Sequence, residues 1–178
     1  LIIASLLLSG IEQVPDNYQQ FEVFTSEWSV QVEASQWIGG NDSLIVPSDW
    51  SLFTYKLHVE ASSSTGINNF DIFFNEDAHV SPGGFGWGEG NFQQVEHVDH
   101  VTGMFAWDFG LDQVDTTLDP GEWTHLFLIS DGTHFQFAPS VIQGGGSASV
   151  IQVLTPNPSP GVLPLISMAF MVGSRRRE

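Results

Sequence analysis

Phe53-Thr54-Tyr55-Lys56-Leu57-His58-Val59-Glu60 decides the fold class. Apolar and polar residues alternate one for one, the period of a strand with one buried face and one wet face. A helix would need its apolar residues three and four apart. The same period recurs upstream, where Trp28, Val30, Val32 and Ala34 alternate with Glu27, Ser29, Gln31 and Glu33. It recurs downstream at Phe70, Ile72 and Phe74, and over Trp123 to Ser130, Thr133 to Ala138 and Ser147 to Val153. Gly39-Gly40-Asn41-Asp42, Ser62 to Gly66, Pro120-Gly121 and Gly144-Gly145-Gly146 separate these runs, as turn-forming residues do. No amphipathic helix and no internal repeat is read between them. The reading is an all-β chain, an antiparallel β-sandwich of immunoglobulin-like or jelly-roll-like type, over residues 18–153.

Asp131-Gly132 between two apolar runs predicts a two-residue hairpin, with Ser130 paired to Thr133, Leu128 to Phe135 and Leu126 to Phe137. The other face of that hairpin carries Phe127 and Ile129, so a second covering sheet is expected. Leu118-Asp119-Pro120-Gly121-Glu122 resembles the Leu-x-Pro-Gly-Glu segment of exported immunoglobulin-like sandwiches.

Charge narrows the function. The 178 residues carry 4 Lys and Arg against 21 Asp and Glu, a net −17 with histidine neutral. Three of the four cations are Arg175, Arg176 and Arg177, which leaves Lys56 as the only basic residue before them. Such a body has no basic face for phosphates, so nucleic acid is excluded as a partner. The same argument excludes attraction to an anionic lipid surface. Hydrophobic residues at 42%, with 14 Phe and 6 Trp, supply enough apolar surface for a core and argue against disorder. With no cysteine, disulfides, thiolate zinc sites and cysteine nucleophiles are excluded.

The two ends differ from the middle. Leu1 to Leu8 is an apolar run before Ser9-Gly10, read as a signal-peptide remnant over residues 1–10. The last 24 residues have three parts: Thr155-Pro156-Asn157-Pro158-Ser159-Pro160, an apolar stretch from Gly161 to Ser174, and Arg175-Arg176-Arg177. As a helix that stretch would reach roughly 21 Å at about 1.5 Å per residue, short of the ~20 residues of a permanent span. A short transmembrane helix acting as a transient anchor, with the arginines on the cytoplasmic side, is the expectation. This tripartite order resembles the PEP-CTERM sorting signal of exported bacterial proteins. Pro156, Asn157 and Pro158 fill its motif positions, with Asn157 where the family usually has Glu. The resemblance covers residues 155–178. It implies an exosortase-type processing peptidase as partner, transient contact with the inner membrane, and delivery to the cell surface or extracellular matrix.

Three internal groups are candidates for chemistry. Glu96-His97-Val98-Asp99-His100 is the densest run of metal-ligand types. On a strand His97 and Asp99 point one way and Glu96 and His100 the other, so a metal would need a ligand from elsewhere. A polar edge strand or loop is the commoner use of such a run. Asp108, Asp112, Asp115, Asp119 and Glu122 crowd one region and suit calcium, although no EF-hand spacing is present. The candidate metal ligands are thus His97, Asp99, His100, Asp108 and Asp112; no resident cofactor is expected, with Ca2+ as the alternative. Third, Ser81 to Phe92 is glycine-rich without the helix and lysine of a phosphate loop. Its Phe85, Trp87 and Phe92 could stack on sugar rings, or close the loop over the core.

No enzyme template is found. There is no Gly-x-Ser-x-Gly elbow, and paired glycosidase carboxylates cannot be singled out among 21 acids. The expectation is a non-enzymatic exported surface or matrix protein. The alternative is an extracellular carbohydrate-binding sandwich, calcium-stabilised or not, with polysaccharide as its partner.

Overall fold

In the computed structural model of the chain, the described residues are 13–42, 44–74, 80–81, 97–101, 103–109 and 117–157, those of 81 and 97–101 by backbone only. Ten strands follow in order: β1 (Asn17–Phe24), β2 (Ser29–Ile38), β3 (Ser51–Val59), β4 (Asn69–Phe73), β5 (Val80–Ser81), β6 (His97–Val101), β7 (Met104–Asp108), β8 (Trp123–Ser130), β9 (Phe135–Gly144) and β10 (Ser147–Pro156). They form two antiparallel five-stranded sheets, in the orders β1-β2-β3-β8-β5 and β10-β9-β4-β7-β6. The fold is an open all-β sandwich. The strand order establishes that coarser statement and not an immunoglobulin-like or jelly-roll-like topology.

Alternation places the core as expected. Val30, Val32 and Ala34 of β2, Phe53, Tyr55, Leu57 and Val59 of β3, and Leu126 and Leu128 of β8 are buried from the first sheet. Phe70 and Ile72 of β4, Phe105 and Trp107 of β7 and Ile142 of β9 meet them from the second. The centre is aromatic. Trp107 stacks on Phe70 at 5.7 Å and 14°, and Tyr55 approaches each ring at 5.7 Å. Offset and edge contacts of this kind add to plain area burial.

Polar side chains tie the two sheets together at their margins. The Trp28 indole N–H donates to the Gly144 carbonyl at 3.1 Å. Gln19 of β1 donates to the Gln152 carbonyl at 2.8 Å and accepts from the Leu154 amide at 3.0 Å. Its carboxamide thus stands in for one peptide unit between the edge strands β1 and β10.

Two expectations need correction. The Asp131-Gly132 hairpin does not form, because β8 and β9 belong to different sheets. Gly132 lacks positive φ, and the chain crosses between sheets there. The hairpin partner of β9 is β10, joined through Gly145 (φ 60°) and Gly146 (φ 106°), with Gly144 opposite Ser147. The faces of β8 and β9 are therefore covered separately, Phe127 and Ile129 lying on the outer side of their own sheet.

The second correction concerns the membrane. Among the described residues there is no helix, and none long and apolar enough to cross a membrane. That overturns the expected transmembrane helix and the transiently anchored route to the surface. Residues 161–174, on which both rested, lie outside the described residues, as do 1–10.

β10 runs through Thr155 and Pro156, both buried, with Pro156 opposite Phe135. The prolines do not stop this strand early, because an edge strand tolerates a residue without an N–H. The Asn157 amide still bonds the His134 carbonyl, at 3.2 Å.

Candidate functional site

The outer face of the first sheet is the richest described surface. Register stacks Tyr18, Ser35, Thr54 and Phe127 in one row across four strands. Gln20, Glu33, Lys56 and His125 form the next, and Glu22, Gln31, His58 and Trp123 the one beyond. Trp37, Leu52 and Ile129 make a further row beside Tyr18's. These positions lie on the outer side of the sheet because their alternate neighbours fill the core, although Ser35 and Leu52 among them are themselves buried. Trp37 and Trp123 are each half-buried. They mark opposite ends of the face, six residues apart along β8's register, or roughly 20 Å at 3.3 Å per residue.

The side chains on this face hold one another in place. Trp37 donates from its indole nitrogen to Thr54 Oγ1 at 3.3 Å. Lys56 pairs with Glu33 at 3.5 Å and lies over the Trp123 ring, 5.5 Å from its centroid. Trp123 meets His125 edge-on at 5.1 Å. Ser29 donates to Glu22 at 2.7 Å, and Gln31 donates to Glu60. Burial, and then the charge of Glu33, push the Tyr18 phenol up from its usual value. The result is a broad wall of fixed rings between amide, carboxylate and imidazole groups.

The outer face of the second sheet collects acids. Asn69 of β4 lies opposite Asp108 of β7, which lies opposite His97 of β6. One step along, Asp71 lies opposite Ala106, which lies opposite Asp99. The Oδ1 atoms of Asn69 and Asp71 are shielded from solvent and accept no hydrogen bond. Burial raises the Asp71 carboxyl above the usual aspartate value. A hydrogen bond from Asn69 opposes that shift, and the charge of Asp108 adds to it. Among the described residues no three His, Cys, Asp or Glu groups are arranged to hold a metal. The described part of this patch is two carboxylates and an amide, and His97 and Asp99 join it by register alone.

A third feature is a polar cleft of about 230 Å³ lined by Thr25 to Ser29 and Ser62 to Ser64. Its hydroxyls are largely engaged in bonds to backbone, such as Ser64 to the Glu27 carbonyl at 2.8 Å. It closes the turn between β1 and β2.

The residues singled out from sequence therefore separate. His97, Asp99 and Asp108 share the outer side of one sheet, as the period of two requires. His100 lies opposite Phe105, on the register of the core side. Asp112 and the aromatic loop residues Phe85, Trp87 and Phe92 lie outside the described residues, as do Pro158 and Arg175 to Arg177. Pro156 and Asn157 belong to the end of β10 and its first bond beyond. Sequence reasoning missed Asn69 and Asp71, since their relation to Asp108 exists only once β4 pairs with β7. It also missed Trp37 and Trp123 as one surface. Both lie on the polar side of the alternation, and a large ring on that side is the signal that could have found them.

The chain matches no protein-family model, no curated protein and no solved structure.

Proposed function

We propose that this chain is a non-catalytic β-sandwich binding module that takes neutral carbohydrate on the outer face of the first sheet. The observation that carries the reading is the placement of Trp37 and Trp123 on that face, partly exposed and separated by rows of polar side chains. Sugars have flat C–H faces that stack on rings and hydroxyls that need paired donors and acceptors. Gln20, Glu33, Thr54 and Lys56 supply such groups between the two rings, with Gln31 and His58 beside Trp123. A chain at −17 repels sulfated or uronic polymers, so the ligand is an uncharged glycan. The face is long enough for several sugar units.

The test is affinity electrophoresis and glycan-array binding with the wild type, Trp123→Ala and Trp37→Ala. The wild type is expected to be retarded by at least one neutral polysaccharide. Each variant should lose most of that retardation while keeping its far-UV spectrum. Binding equal to wild type in both variants, or no binding by the wild type, overturns the proposal.

A further inference from the structure

β10 forms one edge of the second sheet, and its hydrogen bonds show which backbone groups face outward along that edge. The Gln152 carbonyl and the Leu154 amide point away from β9, since both bond the Gln19 carboxamide of β1. The Asn157 amide points the other way, to the His134 carbonyl. Backbone groups of an antiparallel strand alternate sides residue by residue. Ala148 and Val150 therefore present their N–H and C=O groups on the same side as Gln152 and Leu154. Both residues are exposed, Val150 at 70%. Among the described residues no backbone group bonds them there. Gln19 closes this edge at one end and leaves the other open.

The remaining edges are defended in ways that this one is not. β1 carries Glu22 and is tied to β10 through Gln19, β5 is two residues long, and β6 carries Asp99 between two histidines. Charge and short length are the usual defences of an edge strand. From Thr133 to Pro156, which takes in β9 and β10, there is no Asp, Glu, Lys or Arg. Among the described edge strands longer than two residues, β10 alone has no charged residue. In a chain of net −17, that is the edge a second copy can approach with least repulsion.

We propose that two copies of this chain pair antiparallel through the open part of β10, with Ala148 of each opposite Val150 of the other and Ser149 at the two-fold axis. In an antiparallel ladder, residues whose N–H and C=O groups face the partner form the hydrogen-bonded pairs, and each pair exchanges two bonds. Two such pairs form here, and the two-fold axis makes one strand its own complement. The Val150 side chain packs against the second copy's Ala148 on the outer side of a sheet that runs through both copies. The second copy's Gly146 falls opposite Gln152, beside Gln19. It has no side chain and has open space around it, so the turn fits. Glu27 is fixed at the start of the strand, where its carboxylate accepts from Ser147 at 2.7 Å. The two copies of Ser147 lie four residues apart along the ladder, roughly 13 Å at 3.3 Å per residue. That exceeds the screening length of about 8 Å at physiological salt, so the two Glu27 carboxylates oppose pairing only weakly. Pairing consumes the open edge of each copy and stops at two. It goes beyond the carbohydrate reading, which concerns the other sheet, and does not depend on it.

The test is sedimentation velocity on the full chain over a concentration series, with hydrogen exchange read at single amides. A monomer–dimer equilibrium is expected, shifting toward dimer as protein concentration rises. Added salt should shift it the same way by screening two acidic bodies from each other. The Ala148 and Val150 amides should exchange fast in dilute protein and roughly tenfold or more slowly in concentrated protein. The Ser149 and Ile151 amides, which face β9, should be protected in both. Val150→Glu changes an exposed side chain, leaves the backbone intact, and should weaken pairing roughly tenfold or more by like-charge repulsion. Val150→Pro removes an N–H that the β9 ladder does not use, and should abolish pairing while the far-UV spectrum is kept. A monomer at every concentration overturns the proposal, as do oligomers that grow beyond two. So does a dimer in which the Ala148 and Val150 amides exchange as fast as in the monomer. Protection of those two amides already in dilute monomer overturns it as well, because the chain then covers the edge itself.

Discussion

The phenol of Tyr55 donates a hydrogen bond to the backbone carbonyl of Leu154, 3.0 Å away on the opposite sheet. Tyr55 is fully buried between Phe70 and Trp107, so this polar contact crosses the middle of an aromatic core. It fixes how β10 sits over β3, which plain apolar packing would leave free to slide.

Tyr55→Phe keeps the ring contacts and removes only the donor. The Leu154 carbonyl is then left buried without that partner, so a loss of about 1–2 kcal/mol is expected in urea unfolding. Burial also drives the Tyr55 pKa far above the ordinary value of 10.0. The folded state therefore keeps its proton where the unfolded chain gives it up. Stability contributed by this group is complete below pH 10 and falls as pH rises beyond it. The alkaline loss should be smaller in Tyr55→Phe than in wild type. Parallel losses in the two proteins would remove Tyr55 as the cause.

Much of this core was legible in the sequence because it depends on one number, the period of two. Phe53, Tyr55 and Leu57 could only lie on one face of a strand, and they do. What could not be read was which strands pair. Asp131-Gly132 has the composition of a tight turn, yet Leu126 and Leu128 pack from one sheet and Ala138 and Ile142 from the other. A turn motif reports local backbone preference, whereas sheet membership is set by long-range burial. The acid patch failed in sequence for the same reason. Asp71 and Asp108 are 37 positions apart in the chain and become neighbours only through the β4–β7 ladder.

Gly144 marks where backbone meets backbone. A Cβ there would lie 2.3 Å from the Gly66 carbonyl oxygen and 2.6 Å from Ile67 Cα. Neither can swing aside as a side-chain tip would. Gly144→Ala is expected to cost about 3 kcal/mol by overpacking. Gly146, two residues on, has open space around it and a φ of 106°. Gly146→Ala should cost only the strain of that backbone angle, of order 1 kcal/mol or somewhat more. Chemical denaturation of both variants checks the ranking, and equal losses would contradict it.

The Gln19 bridge predicts a pH-dependent variant. Gln19→Ala removes both bonds to β10 and should cost about 1 kcal/mol at this half-exposed margin. Gln19→Glu keeps an acceptor for the Leu154 amide but sets a carboxylate against the Gln152 carbonyl. At neutral pH it should therefore be less stable than Gln19→Ala. Below the ordinary glutamate range, near pH 4.3, the protonated acid can donate again and the deficit should shrink. Unfolding midpoints at pH 7 and pH 3.5 separate the two variants.

Asp71 gives the opposite pH behaviour from an ordinary ion-paired aspartate. Burial raises its carboxyl above the usual 3.8, against the Asn69 hydrogen bond and with help from the Asp108 charge. The folded chain thus holds this proton to higher pH than the unfolded chain does. The stability it contributes is whole below pH 3.8 and is lost as pH climbs through the raised folded value. At neutral pH the ionised, half-buried group is a liability. Asp71→Asn, which is neutral at every pH, should then unfold at higher urea than wild type at pH 7. The two midpoints should converge near pH 3, where the native aspartate is neutral as well. A gain of equal size at both pH values would trace to packing and not to the charge.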